Sequence, residues 1–322
     1  MNERTVQVVE PTLEDYAGHC YSLVLSFCRV SNFPVRIWAA RQAAQLDFGS
    51  GVSIQTFFRR RIRLLQSLWL LRRLLRATDP VVITTARRSD LTLVNLAARG
   101  TLPPNRVYLY YHWFRETPAR LRFLGKIAAR QPNLVILGTT TSVVDAFRRA
   151  GFRHVHLQPY PAPPLMASEV RAPFRGLLYA GAARQDKGFK QVVDLVALLA
   201  ARNESIPIVL QVSADHYGKY DAATRADIDR LRGIGYAHLD IIGETVSPAG
   251  YAALFPGRIC LQPYNGAEFR DRVSGVTLDA LAGGCPVVAT AGTWSAELIE
   301  RFAAGVALPE PTAEQLYEEV KT

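Results

Sequence analysis

Short apolar runs recur along the whole chain, and most are followed by a longer stretch in which apolar positions return every three or four residues. The first pattern fits a strand buried on both faces and the second a helix with one covered side. Their alternation predicts α/β domains built on parallel sheets. Strands are predicted at 6–10, 34–38, 80–84, 106–112, 133–137 and 154–157, with helices at 21–30, 57–77, 91–99, 118–130 and 142–150. A second series follows, with strands at 176–180, 206–212, 239–242, 258–262 and a β-branched run at 287–288. Its helices run from the loop after 188 to 200 and over 222–233, 294–302 and 314–320, with a short apolar helix starting at Ser274-Gly275 and stopped by Gly283-Gly284. No internal repeat or low-complexity tract interrupts either series.

Pro159-Tyr-Pro-Ala-Pro-Pro-Leu165 separates the two series, because its prolines continue neither a helix nor a central strand. Domains of 1–160 and 161–322 are therefore expected, both Rossmann-like and doubly wound. A chain of 322 residues, 49% of them hydrophobic, is long enough for two cores.

Charge divides the chain in the same place. The net charge of +10 arises from +14 in residues 1–165 and −4 in residues 166–322. An anionic membrane surface, an anionic lipid-linked substrate and nucleic acid all fit the basic half. Seven arginines, Arg59, Arg60, Arg61, Arg63, Arg72, Arg73 and Arg76, lie within 57–77 among Phe58, Ile62, Leu65, Leu68, Trp69, Leu71 and Leu75. On a helix, Leu70 and Leu74 fall toward the basic side. That suits contact with lipid headgroups, while a core helix with a solvated basic face is the plainer alternative. No apolar run reaches the roughly 20 residues that a bilayer span needs, and the first residues carry no basic-then-apolar signal pattern. A cytoplasmic protein is expected, peripheral at the inner face of the plasma membrane if 57–77 meets lipid. Cys20, Cys28, Cys260 and Cys285 form no Cys-x-x-Cys pair, so buried free thiols are expected rather than disulfides or a zinc site.

Candidate chemistry is concentrated in the second half. A helix beginning at Ser274-Gly275-Val276 presents free N–H groups and the positive end of its dipole, which suits a phosphate oxygen. Asp271 precedes that end, and Asp279 lies within the helix. On the strand-to-helix loop Gly181-Ala-Ala-Arg184-Gln-Asp-Lys187-Gly188, Arg184 offers a forked donor and Lys187 a point charge, as a diphosphate requires. In the first half, Gly18-His19 and His112 stand at carboxyl ends of predicted strands, where ligands of such sheets bind, although a partly buried histidine or ordinary aromatic packing would look the same. Asp227-Ile-Asp229 spells a metal-binding acidic pair, but its arginine neighbours read as a solvated helix face.

Together these stretches resemble the donor-binding signature of GT-B glycosyltransferases of the GT4 type. In that family two acidic residues flank a glycine-containing helix start, and a Gly-Pro-Val-Val-like strand follows. Here Asp271 and Asp279 stand where the family usually has glutamates, and the Arg184-to-Lys187 spacing is shorter than the common one. The resemblance implies two domains facing each other across a cleft. It also implies donor binding by Gly181, Arg184, Lys187, Gly243, Arg272, Ser274, Gly275, Val276 and Asp279, with Gly18, His19 and His112 on the acceptor side. Asp271, Lys187, Arg184 and His112 are the implied catalytic residues. Lys187, Arg184 and the helix start would meet the leaving diphosphate, Arg272 would add a cation, Asp279 would hold the ribose and Asp271 would orient the sugar.

The implied function is transfer of a sugar from a nucleoside diphosphate sugar to a saccharide or lipid-linked acceptor, with retention, in surface polysaccharide or glycolipid assembly. No metal ion, other cofactor or nucleic acid partner is expected. Two other readings stay open: a non-catalytic GT-B-like binding subunit or membrane adaptor, and a GT-B-shaped sugar-nucleotide epimerase.

Overall fold

The structure is a computed structural model that describes residues 4–16, 19–161, 172–212, 220–244 and 246–321. The chain divides into two compact units, Met1–Pro161 and Ala162–Thr322. Residues 162–165 of the expected linker lie outside the described residues.

In the first unit the order is β1 (Val6–Val9), α1 (His19–Val30), β2 (Val35–Ala40), β3 (Val52–Phe58), α2 (Arg63–Leu74), β4 (Val81–Ile83), α3 (Arg88–Ala97), β5 (Val107–Tyr111), α4 (Pro118–Arg130), β6 (Val135–Gly138), α5 (Thr141–Arg149) and β7 (His154–Leu157). These strands form one parallel sheet in the order β3-β2-β1-β4-β5-β6-β7. The second unit contains β8 (Gly176–Tyr179), α6 (Phe189–Ala201), β9 (Ile208–Gln211), α7 (Ala222–Gly233), β10 (Leu239–Ile242), α8 (Pro248–Ala252), β11 (Arg258–Gln262), α9 (Gly266–Phe269), α10 (Gly275–Ala282), β12 (Val287–Thr290), α11 (Trp294–Arg301), β13 (Gly305–Leu308) and α12 (Ala313–Lys321). Its sheet, again parallel, runs β10-β9-β8-β11-β12-β13. Strand order reverses between β1 and β4 in one unit and between β8 and β11 in the other. The crevice beyond the carboxyl ends of strands at such a reversal is where doubly wound sheets hold ligands.

The centre of each sheet is apolar because helices cover both faces. Every residue of β8 is buried, and Leu177 and Tyr179 share a core with Phe189, Val192, Val193 and Val196 of α6.

Two local expectations are corrected and one further strand is found. The helix expected over 57–77 is shorter: Val52–Phe58 is the edge strand β3, paired with β2, and α2 begins only at Arg63. Val52-Ser-Ile-Gln-Thr carries a period of two that a helical count starting at Phe57 overlooks. Helix α2 stops at Leu74, where Arg106 Nη2 donates to Leu74 O (2.7 Å) and Ala77 O (2.5 Å). Arg106, just before β5, thus ties the end of α2 and the turn after it to the sheet. Leu70 and Leu74, placed on the basic side from the sequence, are buried with Leu71, whereas Leu64, Leu65 and Trp69 are exposed. Finally, Gly305–Leu308 is a sixth strand of the second sheet, paired with β12 along its whole length.

Candidate active site

The site of the second unit forms where β8 and β11 end. Gly181 follows β8 with φ 102°, and its N–H donates to Gln211 Oε1 at 2.9 Å. A Cβ at Gly181 would lie 3.2 Å from Lys187 Nζ and 3.5 Å from Val276 Cγ2. Three residues expected at the donor site are therefore in contact range, although they come from a strand end, a loop and a helix. Lys187 closes a short 3-10 turn, Gln185–Lys187, and Arg184, in extended backbone conformation, stands at its start. Gln185 Nε2 donates to Asp227 Oδ2 (2.8 Å), tying this turn to α7, and Asp229 pairs with Arg232 at 3.6 Å. The Asp227-Ile-Asp229 pair is thus divided between an anchor and a surface ion pair.

Charge gathers around a residue that sequence reasoning passed over. Asp186 takes Arg184 Nε at 2.8 Å on Oδ1 and Arg184 Nη2 on Oδ2, and Arg272 Nη1 approaches Oδ2 at 3.4 Å. The guanidinium of Arg272 lies over the Phe269 ring at 4.8 Å, and Lys187 Nζ is 5.9 Å from the centre of the Tyr264 ring. Burial, with Arg184 and Arg272 close by, pulls the Lys187 amine down to about 8, and Asp186 opposes that pull. The alternation of Arg184 and Asp186 in sequence was the available signal, but a carboxylate two residues from an arginine is common on any surface.

Helix α10 supplies the third part. Ser274 Oγ accepts the Thr277 N–H (3.4 Å), capping the helix, and lies 3.4 Å from Tyr264 Oη. Thr277, fully buried, bonds to Gln262 Oε1 (2.7 Å) and Ser295 Oγ (2.8 Å), which anchors the first turn to β11 and α11. The space beside Gly275 is open, and the N–H groups of Gly275 and Val276 belong to the first turn, which has no intrahelical acceptors for them. An anion beside Lys187 can therefore also meet a helix start.

Asp279, one turn further along α10, accepts a hydrogen bond from Tyr251 of α8. Burial pushes its carboxyl up to about 6, an effect the Tyr251 bond only partly offsets. Between the usual carboxylate range near 4 and pH 6 the unfolded chain has lost this proton and the folded chain has not, so stability falls as pH rises through that window. Above pH 6 the full cost persists. Asp279→Asn is accordingly expected to stabilise the protein by roughly 1–2 kcal/mol at pH 7. Urea denaturation at pH 7 and pH 4 checks this, since the gain should disappear at the lower pH.

Other expected residues are not drawn into this cluster. Asp271, partly exposed, occupies the turn between α9 and α10. Gly243 is exposed just beyond β10, at the edge of the sheet. Gly18 lies outside the described residues, and His19 opens α1. In the first unit His112 Nε2 donates to Thr84 O (2.8 Å), and its ring meets those of Tyr110 and Tyr160. Beside it, at the reversal of strand order, sits the fully buried Glu10, which accepts from Thr12 Oγ1 (2.5 Å), Thr84 Oγ1 (2.8 Å) and Thr85 Oγ1 (2.5 Å). Sequence reasoning treated Glu10 only as a strand terminus.

No protein-family profile matches the chain, and no curated protein matches it. Solved structures do. Sucrose-phosphate synthase from Thermosynechococcus elongatus superposes with a TM-score of 0.69 at 13% identity, over 99% of this chain and 89% of that one. Anabaena HepE, in complex with UDP and glucose, gives 0.66 at 14% identity over 98% and 88%. WaaG, a glycosyltransferase involved in lipopolysaccharide biosynthesis, gives 0.62 at 14% identity over 98% and 89%. With two doubly wound parallel-sheet units and this likeness across nearly the full length of the chain, the protein has the GT-B fold.

Proposed function

We propose that the protein is a glycosyltransferase of the GT4 type that moves a sugar from a nucleoside diphosphate sugar to a saccharide or lipid-linked acceptor. The observation that carries this reading is the cationic seat at the β8/β11 crevice: Lys187, Arg184 and Arg272 beside the open start of α10, with Asp279 one turn away. In this reading the bond from the anomeric carbon to the phosphate oxygen breaks, the acceptor hydroxyl oxygen takes its place, and the hydroxyl proton passes to the departing phosphate or to solvent. The difficult part is the charge left on the nucleoside diphosphate. A preorganised cluster of cations and backbone N–H groups stabilises it without reorganising during the reaction. Asp279 takes the ribose hydroxyls, Asp271 orients the sugar and His112 faces the acceptor. Retention of configuration follows from the family resemblance. No metal ion or other cofactor is invoked. HepE, which binds UDP and glucose in its solved complex, is a precedent for a nucleotide and a sugar on this fold.

The surface of α2 supports a lipid-linked acceptor within this reading. Ile62, Leu64, Leu65 and Trp69 are exposed there, among seven arginines and no acidic residue between Asp47 and Asp79. Exposed apolar groups ringed by cations suit an anionic bilayer surface. Among the described residues no helix is long and apolar enough to cross a membrane. A peripheral position at the inner face of the plasma membrane, in surface polysaccharide or glycolipid assembly, fits both observations.

Thermal stability against a panel of UDP, GDP, ADP and their sugars tests the function, since a ligand of the folded state raises the melting temperature by mass action. One nucleotide should give a shift that Lys187→Ala removes. No shift with any of them would defeat the reading. For the membrane, Leu65→Glu is expected to abolish co-sedimentation with phosphatidylglycerol vesicles and to leave the nucleotide shift intact. Equal sedimentation of both proteins would remove α2 as the contact.

A further inference from the structure

We propose that Asp186 is the positioning residue of the phosphate seat, drawing Arg184 and Arg272 to one carboxylate and balancing their charge beside Lys187. The inference rests on the glycosyltransferase reading and deepens it. The two arginines belong to segments far apart in sequence, one before the 3-10 turn and one between α9 and α10. What they share is Asp186: Arg184 presents its Nε/Nη2 edge to both oxygens, and Arg272 presents Nη1 to Oδ2. That use leaves Nη1 of Arg184 and Nη2 of Arg272 available to a ligand, as a guanidinium has five N–H donors.

The main chain of Asp186 makes a second tie. Its carbonyl accepts Asn265 N–H at 2.9 Å, and Asn265 caps α9, so the donor loop is joined to the segment carrying Tyr264 and Phe269. An isolated surface ion pair would be worth little. This carboxylate differs from one in being shared by two cations and only 23% exposed.

Charge balance gives the same answer. The groups facing Lys187 are Arg184 and Asp186 on its own loop, Arg272 before α10, Cys260 on β11 and the ring of Tyr264. A hydrogen bond with Cys285 and burial push the Cys260 thiol well up, and burial raises the Tyr264 hydroxyl, which leaves the Asp186 carboxylate to offset the cations around Lys187. Removing it leaves three cations to repel one another. The arginines then spread apart, and Lys187 gives up its proton more readily.

Calorimetric titration of wild type, Asp186→Asn and Asp186→Glu with UDP, GDP, ADP and pyrophosphate between pH 6 and pH 9.5 tests this. Wild-type affinity should decline above about pH 8, where Lys187 loses its charge. Asp186→Asn should bind the same ligand roughly tenfold more weakly at pH 7, and its decline should begin at lower pH. Asp186→Glu, which keeps the anion, should follow the wild-type pH profile. A purely structural role would weaken binding equally at every pH, so an unshifted Asp186→Asn profile overturns the proposal. If Asp186→Asn does not fold, a displaced profile in Asp186→Glu overturns it instead. Failure of every ligand to bind wild type defeats the glycosyltransferase reading and this inference with it, whereas unaltered binding by Asp186→Asn defeats this inference alone.

Discussion

Replacing Lys187 by alanine is expected to lower sugar transfer by roughly a hundredfold to a thousandfold, the usual loss when one preorganised donor to a developing anion is removed. The geometry makes the loss specific. Lys187 Nζ lies close to Gly181, the residue that Val276 at the start of α10 also borders, so strand end, loop and helix start converge there. Its amine is drawn down to about 8 by burial and by Arg184 and Arg272. Below pH 8 it is charged and can meet a phosphate oxygen, and above pH 8 the uncharged amine cannot. Turnover of the wild type should therefore decline on the alkaline side. Lys187→Arg, whose charge persists, should retain part of the activity and lose that decline. Initial rates from pH 6 to pH 9.5 with the nucleotide sugar found in the thermal panel provide the check. Alanine turnover equal to wild type would exclude Lys187 from the chemistry.

Gly188→Ala is expected to destabilise the second unit by about 4 kcal/mol, the range reserved for a few severe mechanisms. Two of these coincide. Gly188 has φ 69°, which costs an L-residue with a Cβ roughly 1–2 kcal/mol. A Cβ there would also lie 1.9 Å from the Pro263 carbonyl oxygen, which is backbone and has no rotamer to escape into. Either α6 or the end of β11 must move, and both border the seat: Lys187 precedes Gly188, and Tyr264 follows Pro263. Urea denaturation should show the loss, with the first unit's transition unchanged if the two units unfold separately. Gly275→Ala is the control. Open space surrounds Gly275, and it lies in α10 at negative φ, so its stability should change little.

Much of the candidate site was legible because its parts are local. The glycine and lysine of Gly181-Ala-Ala-Arg-Gln-Asp-Lys187-Gly188 and the helix start at Ser274-Gly275-Val276 each carry their meaning within a few residues. A tight loop needs glycine, and a capped helix start needs a serine and leaves N–H groups free. Asp186 was less legible. Its importance comes from Arg272, whose place beside it depends on β8 and β11 being neighbours. Glu10 is a similar case, since the hydroxyls of Thr84 and Thr85 reach it only because β1 pairs with β4.

The alternation of apolar runs and helical periods determined the fold class, because burial on two faces imposes its pattern on every strand whatever its neighbours are. Edge elements escaped that logic. β3, half solvated, has too few apolar positions to outweigh the arginine-rich helix after it, and β13 is four residues whose strand character comes from pairing with β12. The covered side of α2 was also decided in three dimensions. Leu70 and Leu74 go inward because β3, β4 and α3 pack there, leaving Leu65 and Trp69 outside, and a helical wheel has no knowledge of which neighbours arrive. Sequence alone thus specified the elements whose environment is uniform and the loops whose chemistry is local. Tertiary structure decided which charges share a partner and which apolar face remains open, since both depend on strand order, and strand order is a property of the whole sheet.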